Sequence, residues 1–298
     1  MFVIKYKNIF LAISMLIVGA SVLATIIFGV RIGIDFKGGS QLEVSYPEVR
    51  PEQSRVEATV AKTGLTPVHV QSVGEKGYSI KTQAIDETQH EALLAALGVD
   101  GSKVEEVSFN SIGPSVGTEL TRKALIAIVI VVIWIVLYIA FAFRKVSQPV
   151  ASWKYGIIAI VTLIHDIAIP TGLFAILGKF QGTELDVLFV TALLTVLGLS
   201  VSDTIVVFDR IRENIKKHHG DAFESIVGRS IKETFTRSIS TSLTVILALL
   251  ALYLFGPTTT KDFALVLITG MFFVTYSSIF VASPLLVTLE KWQSRKKK

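Results

Sequence analysis

The chain has 298 residues, 51% of them apolar, and a mean hydropathy of +0.60, values that exclude a soluble domain of this length. It contains no cysteine, which excludes a disulfide framework, a structural thiolate zinc site and a catalytic thiol. The formal charge of +5 gathers at the ends of apolar blocks, so it speaks for membrane orientation and not for nucleic acid.

Six blocks approach the ~20 residues that a helix needs to cross a bilayer: 9–30, 124–143, 155–178, 186–208, 237–255 and 262–289. The expected fold class is a polytopic α-helical membrane protein with six transmembrane helices. One α+β ferredoxin-like external domain is expected between helices 1 and 2. Lys5 and Lys7, Arg144, Lys145 and Lys154, Arg210 to Lys232, and Lys291 to Lys298 hold most of the flanking positive charge. The short connections on the other side hold only Lys179 and Lys261. This asymmetry predicts cytoplasmic termini. Lys5, Lys7 and Val22-Leu23-Ala24 suggest a signal peptide, but the apolar run continues to Val30, longer than a signal core. An uncleaved first helix is expected.

Arg31-Ile32-Gly33-Ile34-Asp35-Phe36-Lys37-Gly38-Gly39 lacks phosphate-loop spacing and reads as a turn out of the first helix. Residues 36–122 form the one long polar stretch. Leu42, Val44 and Tyr46 alternate with polar neighbours, as in a half-buried strand. Pro51 opens a helix with Val56 and Val60 on its apolar face. Two strands flank the turn Gly74–Gly77, Asp86 caps a helix that runs to Leu97, and residues 103–112 supply a last strand. The order β-α-β-β-α-β is that of a split βαβ unit. His69 and His90 lack partners at ligand spacing and read as surface or strand residues. Ser111 to Gly117 reads as a hinge or re-entry link.

The third span carries His165 and Asp166, a pair suited to a proton relay or to a polar clamp between helices, with Pro170 four residues beyond the acid. The fourth span carries a small, polar stripe of Thr191, Thr195, Gly198 and Ser202 beside Asp203, with Ser200 and Thr204 near enough to support a water chain. On the fifth span Arg237, Ser240, Thr241, Thr244 and Ala248 share a face. Asp203 and Arg237 both fall toward the cytoplasmic half, where they can meet as a switchable ion pair or as a permanent one. Residues 209–236 between them mix charge with Ile211, Ile215, Phe223 and Ile231, the pattern of an amphipathic helix on the inner membrane surface. Residues 290–298 form a basic cytoplasmic tail.

The motifs Gly33 to Gly39, Gly113 to Gly117, His165-Asp166, Asp203 to Asn214, Arg237 with Thr241-Ser242, and Tyr276 to Phe280 together resemble the SecF branch of the SecD/SecF family, within the resistance-nodulation-division superfamily. The resemblance covers nearly the whole chain. It implies a subunit of the bacterial inner membrane that pairs with SecD and associates with the SecYEG translocon. It also implies that protons or sodium ions drive the external domains to help draw an unfolded polypeptide across. By the same resemblance Asp203 and Arg237 are the ion-coupling residues. His165, Asp166, Ser200, Ser202, Thr204 and Thr241 remain relay or clamp candidates from their own chemistry. Relatives commonly carry Asn where this chain has Ser202, which leaves the coupling ion open. No cofactor, metal or nucleic acid is expected, and lipid is the surrounding medium.

Two other readings compete. Half of a small-molecule or lipid exporter of the same superfamily would need a larger external vestibule than about 80 residues provide. An intramembrane protease would use Asp166 and Asp203 as a dyad or Ser200 as nucleophile, but the chain lacks a G-x-G-D motif and a Gly after the Ser.

Overall fold

The computed structural model describes residues 2–98, 103–143, 150–218 and 220–296. Arg144 and Lys145 of the basic clusters, and Lys297 and Lys298 of the tail, lie outside the described residues. The elements begin with α1 (Phe2–Lys5), α2 (Lys7–Phe28), α3 (Ile34–Lys37), β1 (Gly39–Ser45), α4 (Gln53–Lys62), β2 (His69–Val73), β3 (Gly77–Thr82), α5 (Glu87–Leu97) and β4 (Glu105–Ile112). Long helices follow: α6 (Pro114–Ala142), α7 (Ser152–Gln181), α8 (Val187–Lys217), α9 (Phe223–Phe255) and α10 (Thr258–Ser277). A π-helical turn, Ser278–Ala282, then leads into α11 (Ser283–Lys296). Among the described residues, 6 helical stretches are long and apolar enough to span a membrane. The chain divides into two compact units, one of residues 31–126 with 184–187, the other of the remaining helices.

In the α+β unit the strand order is β2-β3-β1-β4, with every neighbouring pair antiparallel. With α4 between β1 and β2 and α5 between β3 and β4, this is the split βαβ topology. Alternation along β1 sends Leu42, Val44 and Tyr46 to one face, where they pack on Val56, Val60, Leu93 and Leu97 of the two helices. Asp86 and Gln89 close a reciprocal capping box at the start of α5. Burial, reinforced by the neighbouring Tyr78, pushes the Tyr46 hydroxyl above the ordinary tyrosine pKa. His90 is not the surface or strand residue expected. It lies buried on α5, three and seven residues before Leu93 and Leu97, with its ring stacked on Phe109 at 3.8 Å and Nε2 3.1 Å from Glu106.

The double glycine has a steric cause. Gly38 and Gly39 have φ of 79° and 144°, where a side chain is strained. A Cβ on Gly117 would lie 2.7 Å from the Gly38 nitrogen. The expected hinge at 113–117 is therefore the first turn of α6, packed backbone to backbone on the double glycine, with Pro114 opening the helix. Asp35 accepts the Val187 backbone N–H at 2.9 Å, which caps the start of α8. Lys81 and Glu184 pair at 2.9 Å.

In the helical unit, glycine permits close helix approach. A Cβ on Gly172 of α7 would fall 2.5 Å from Ser21 Cα of α2. Phe143, Tyr155 and Phe208 pack ring on ring, at centroid distances of 5.1, 5.2 and 5.8 Å. The basic ends are partly internal ties: Glu224 reaches Lys7 at 3.2 Å and Lys291 at 2.7 Å. Lys154 is buried, between Trp153 and Trp292, and donates to Gln293 at 2.7 Å.

Two expectations differ from the structure. Residues 209–236 are not one surface helix but the continuation of α8 to Lys217 and the start of α9 at Phe223. Tertiary pairing explains this. Asn214 Nδ2 donates to Ser230 at 3.0 Å and to Glu233 at 2.8 Å, and Arg210 Nε to Glu233 at 2.6 Å. Ile211, Val227 and Ile231 are buried beside them. The sixth span, read as continuous over 262–289, is interrupted by the π-helical turn. Pro284 offers no N–H, and its ring would collide with the carbonyl of Phe280 in a regular helix. The wider turn absorbs that conflict, and the Ser283 hydroxyl donates to the Ser278 carbonyl at 3.2 Å.

Candidate functional site

Two carboxylates stand inside the helical unit. Asp166 on α7 is fully buried. Its Oδ1 is 2.8 Å from His165 Nδ1, and its Oδ2 accepts from Ser200 of α8 at 2.6 Å and from Ser277 of α10 at 2.9 Å. One acid thus ties three helices together, as a buried polar group requires when lipid offers no hydrogen-bond partners. His165 stacks on Tyr276 at 6.2 Å, and Tyr276 donates to the Phe10 carbonyl of α2 at 3.3 Å.

Asp203 on α8 is half-buried. Its Oδ1 accepts from Ser238 of α9 at 2.8 Å, and its Oδ2 accepts from Ser278 at the head of the π-helical turn. Hydroxyls, not a guanidinium, satisfy this carboxylate. Arg237 is exposed and forms no ion pair among the described residues. It sits one residue from Ser238, which places it about 100° round the helix from the residue that touches Asp203.

The expected residues therefore separate into two groups. His165, Asp166 and Ser200 come together, and Thr204 is buried near them in sequence with no hydrogen-bond partner for its hydroxyl among the described residues. Ser202 and Thr241 are exposed. The expected fifth-span face of Arg237, Ser240, Thr241, Thr244 and Ala248 is the outward face of α9. The inward face is the four-residue series Ser230, Thr234, Ser238 and Ser242, all buried. That series was available in the sequence as hydroxyls at i, i+4 spacing, a signal equal in strength to the one on the other face. Ser277 and Ser278 were missed as contact residues, although the break signalled by Pro284 lies just beyond them.

At both acids serine hydroxyls donate to the carboxylate oxygens. Each carboxylate is bonded by hydroxyls that can also turn to other acceptors.

Comparisons with known proteins bear on the family of the chain. Residues 92–292 match the family model described as "Protein export membrane protein SecD/SecF, C-terminal", and residues 24–46 match the "SecD/SecF GG Motif". The chain is 44% identical to the protein translocase subunit SecF of Thermobaculum terrenum, over 97% of this chain and 93% of that protein. It is similar to the crystal structure of SecDF, a translocon-associated membrane protein from Thermus thermophilus, with a TM-score of 0.84 and 30% identity over 97% of this chain. It spans 38% of that longer chain. A SecDF structure in a super-membrane-facing form matches with a TM-score of 0.67 and 29% identity over 99% of this chain.

Proposed function

The chain belongs to the SecD/SecF family of protein-export membrane proteins, a transport component and not an enzyme, and from this we propose that it couples ion flow through Asp203 to late-stage polypeptide translocation. In this reading it works with SecD beside the SecYEG channel, with both termini in the cytoplasm. Proton entry, or sodium entry, drives movement of the α+β unit, which helps draw the emerging polypeptide across.

The observation that carries this reading is the environment of Asp203. An acid in a membrane-crossing helix is costly, by about 2.5–3.5 kcal/mol at a helix centre, unless it is bonded or solvated. Here two serine hydroxyls bond it, while Arg237, next to Ser238 in sequence, is exposed and forms no ion pair among the described residues. Protonating the carboxylate loosens both hydroxyl contacts; losing the proton restores a charge that Arg237 can approach by rotation of α9. A membrane potential supplies about 2.3 kcal/mol per charge per 100 mV, enough to bias two packings of α8 and α9. The pairing with SecD is supported by the stripe Thr191, Thr195, Gly198 and Ser202 on α8. All four are exposed in this chain, although small residues at this spacing suit close helix contact.

The test is Asp203→Asn in the complex with SecD and SecYEG. Expected is loss of gradient-dependent late export, with complex assembly and the ATP-driven early step retained. Late export at the ordinary rate in that variant would leave the chain a structural subunit.

A further inference from the structure

The reading above gives Asp166 no part, yet it is the most deeply buried acid in the helical unit. Its link to Asp203 runs through two consecutive residues. Ser277 donates to Asp166 and Ser278 donates to Asp203, from neighbouring positions at the entry to the π-helical turn. Each serine has one hydroxyl proton and two acceptors within reach. Ser277 Oγ lies 2.9 Å from Asp166 Oδ2 and 3.1 Å from the Val274 carbonyl. Ser278 Oγ is bonded to Asp203 Oδ2 and lies 3.1 Å from the Thr275 carbonyl.

The state of each carboxylate decides between these acceptors. An ionised oxygen binds a hydroxyl about twice as strongly as a neutral acceptor does, so the carboxylate holds the serine proton. When the carboxyl oxygen carries its own proton it becomes a donor, and the serine turns back to the carbonyl three residues earlier. Such back-bonding bends helices, and here it acts on the turn just before the backbone widens. A single peptide bond joins Ser277 and Ser278, so any bend of the turn that follows one serine's change of acceptor also shifts the donor to the other acid.

We propose that Asp166 is a second proton-carrying group, and that Ser277 and Ser278 are positioning residues that couple its occupancy to that of Asp203. The step moves one proton from hydronium to a carboxylate oxygen, leaving water, and later returns it to water; nothing is oxidised. The inference rests on Asp203 titrating during export, as proposed above. His165 adds an onward site: its Nδ1 bonds Asp166, while its buried Nε2 has no partner among the described residues. The other titratable groups near the pair are few. Helix α10 brings Tyr276, stacked on His165, and α9 carries Arg237, which is exposed and next to Ser238 in sequence, whereas α2 has none after Lys7.

The test uses the full chain assembled with SecD in lipid nanodiscs and reads protonated aspartate carboxyls by isotope-edited infrared spectroscopy as pH is scanned. Asp203→Asn and Asp166→Asn identify the two bands. Ser277→Ala removes a contact to Asp166 alone, yet is expected to move the Asp203 midpoint by about half a pH unit or more, as coupled sites do. Asp166→Asn, which keeps the side-chain shape, is expected to do the same, and Ser277→Thr to restore the original midpoint. An Asp203 midpoint unmoved by both Ser277→Ala and Asp166→Asn, or an Asp166 that never shows a protonated band, overturns the inference. If the midpoint stays and Asp203→Asn still loses export, this inference alone fails. If the midpoint moves while Asp203→Asn exports normally, the coupling stands and the reading of Asp203 as the export-driving group fails.

Discussion

Ser238 and not Arg237 reaches Asp203, at 2.8 Å, although the two residues are adjacent on α9. One residue of helix is about 100° of rotation, so the serine faces the carboxylate while the arginine faces outward. In this structure Asp203 is therefore held by the hydroxyls of Ser238 and Ser278, and Arg237 is exposed.

Ser238→Ala removes one of two donors to that carboxylate. A hydrogen bond to a charged group contributes about 1.5–3 kcal/mol, and one pH unit corresponds to about 1.4 kcal/mol. The pH midpoint of gradient-driven export is expected to rise by about one to two units. Vesicle export assays run across a pH series measure it, and Ser238→Thr, which keeps the hydroxyl, is expected to leave the midpoint in place.

Arg237→Met should leave the fold of the isolated chain intact, because Arg237 makes no ion pair among the described residues. Ion current through the purified complex with SecD is expected to fall by about tenfold or more, a change of about 1.4 kcal/mol in the barrier. Arg237→Lys keeps the charge but not the planar fork and should fall between the two. Current at the ordinary level in the Met variant would remove Arg237 from the coupling path.

Gly117→Ala tests the packing of α6 on the double glycine. In an open helix this change stabilises by about 0.5–1 kcal/mol. Here the new Cβ meets backbone, 2.7 Å from the Gly38 nitrogen and 3.0 Å from the Phe36 carbonyl oxygen, and neither atom can swing aside. A net destabilisation of about 1–3 kcal/mol is expected. Hydrogen exchange of β1 and α3 in the full chain should speed up accordingly. Gly198→Ala, with nothing within 4 Å of its Cβ, is the control and should not destabilise the isolated chain.

Tyr46 sets an alkaline limit on the α+β unit. Its folded pKa is raised by burial and by Tyr78, so the neutral form is favoured in the fold. The stability it contributes is complete below the unfolded tyrosine value of about 10. It is lost as pH rises from there through the folded value. Unfolding of the unit at rising pH should start near that point, and Tyr46→Phe should flatten the decline. An unchanged alkaline profile in Tyr46→Phe would assign the loss to other groups.

Much of the architecture was legible without coordinates. Apolar runs of membrane length mark the spans, because water-to-lipid transfer depends on the composition of a segment. Alternation at Leu42, Val44 and Tyr46, and the cap at Asp86, mark elements of the α+β unit by local rules of strand and helix. The candidate site was legible only in part. Asp166 and Asp203 stand out as acids in apolar runs, but the two faces of α9 carry equivalent rows of hydroxyls. Periodicity alone cannot choose between Ser238 and Thr241. The helical hairpin at 209–236 was hidden for a similar reason: charges that pair across helices, such as Arg210 with Glu233, look in sequence like charges that face water.

Six spans, a split βαβ unit and two acids within apolar runs can be read from the order of residues alone. That Ser238 and Ser278 hold one acid, and that Ser277 joins Ser200 and His165 at the other, emerges only once the helices are packed. Span and strand formation follow from short-range composition, whereas a contact between helices depends on how each is turned about its own axis, and a single residue of offset exchanges one partner for another.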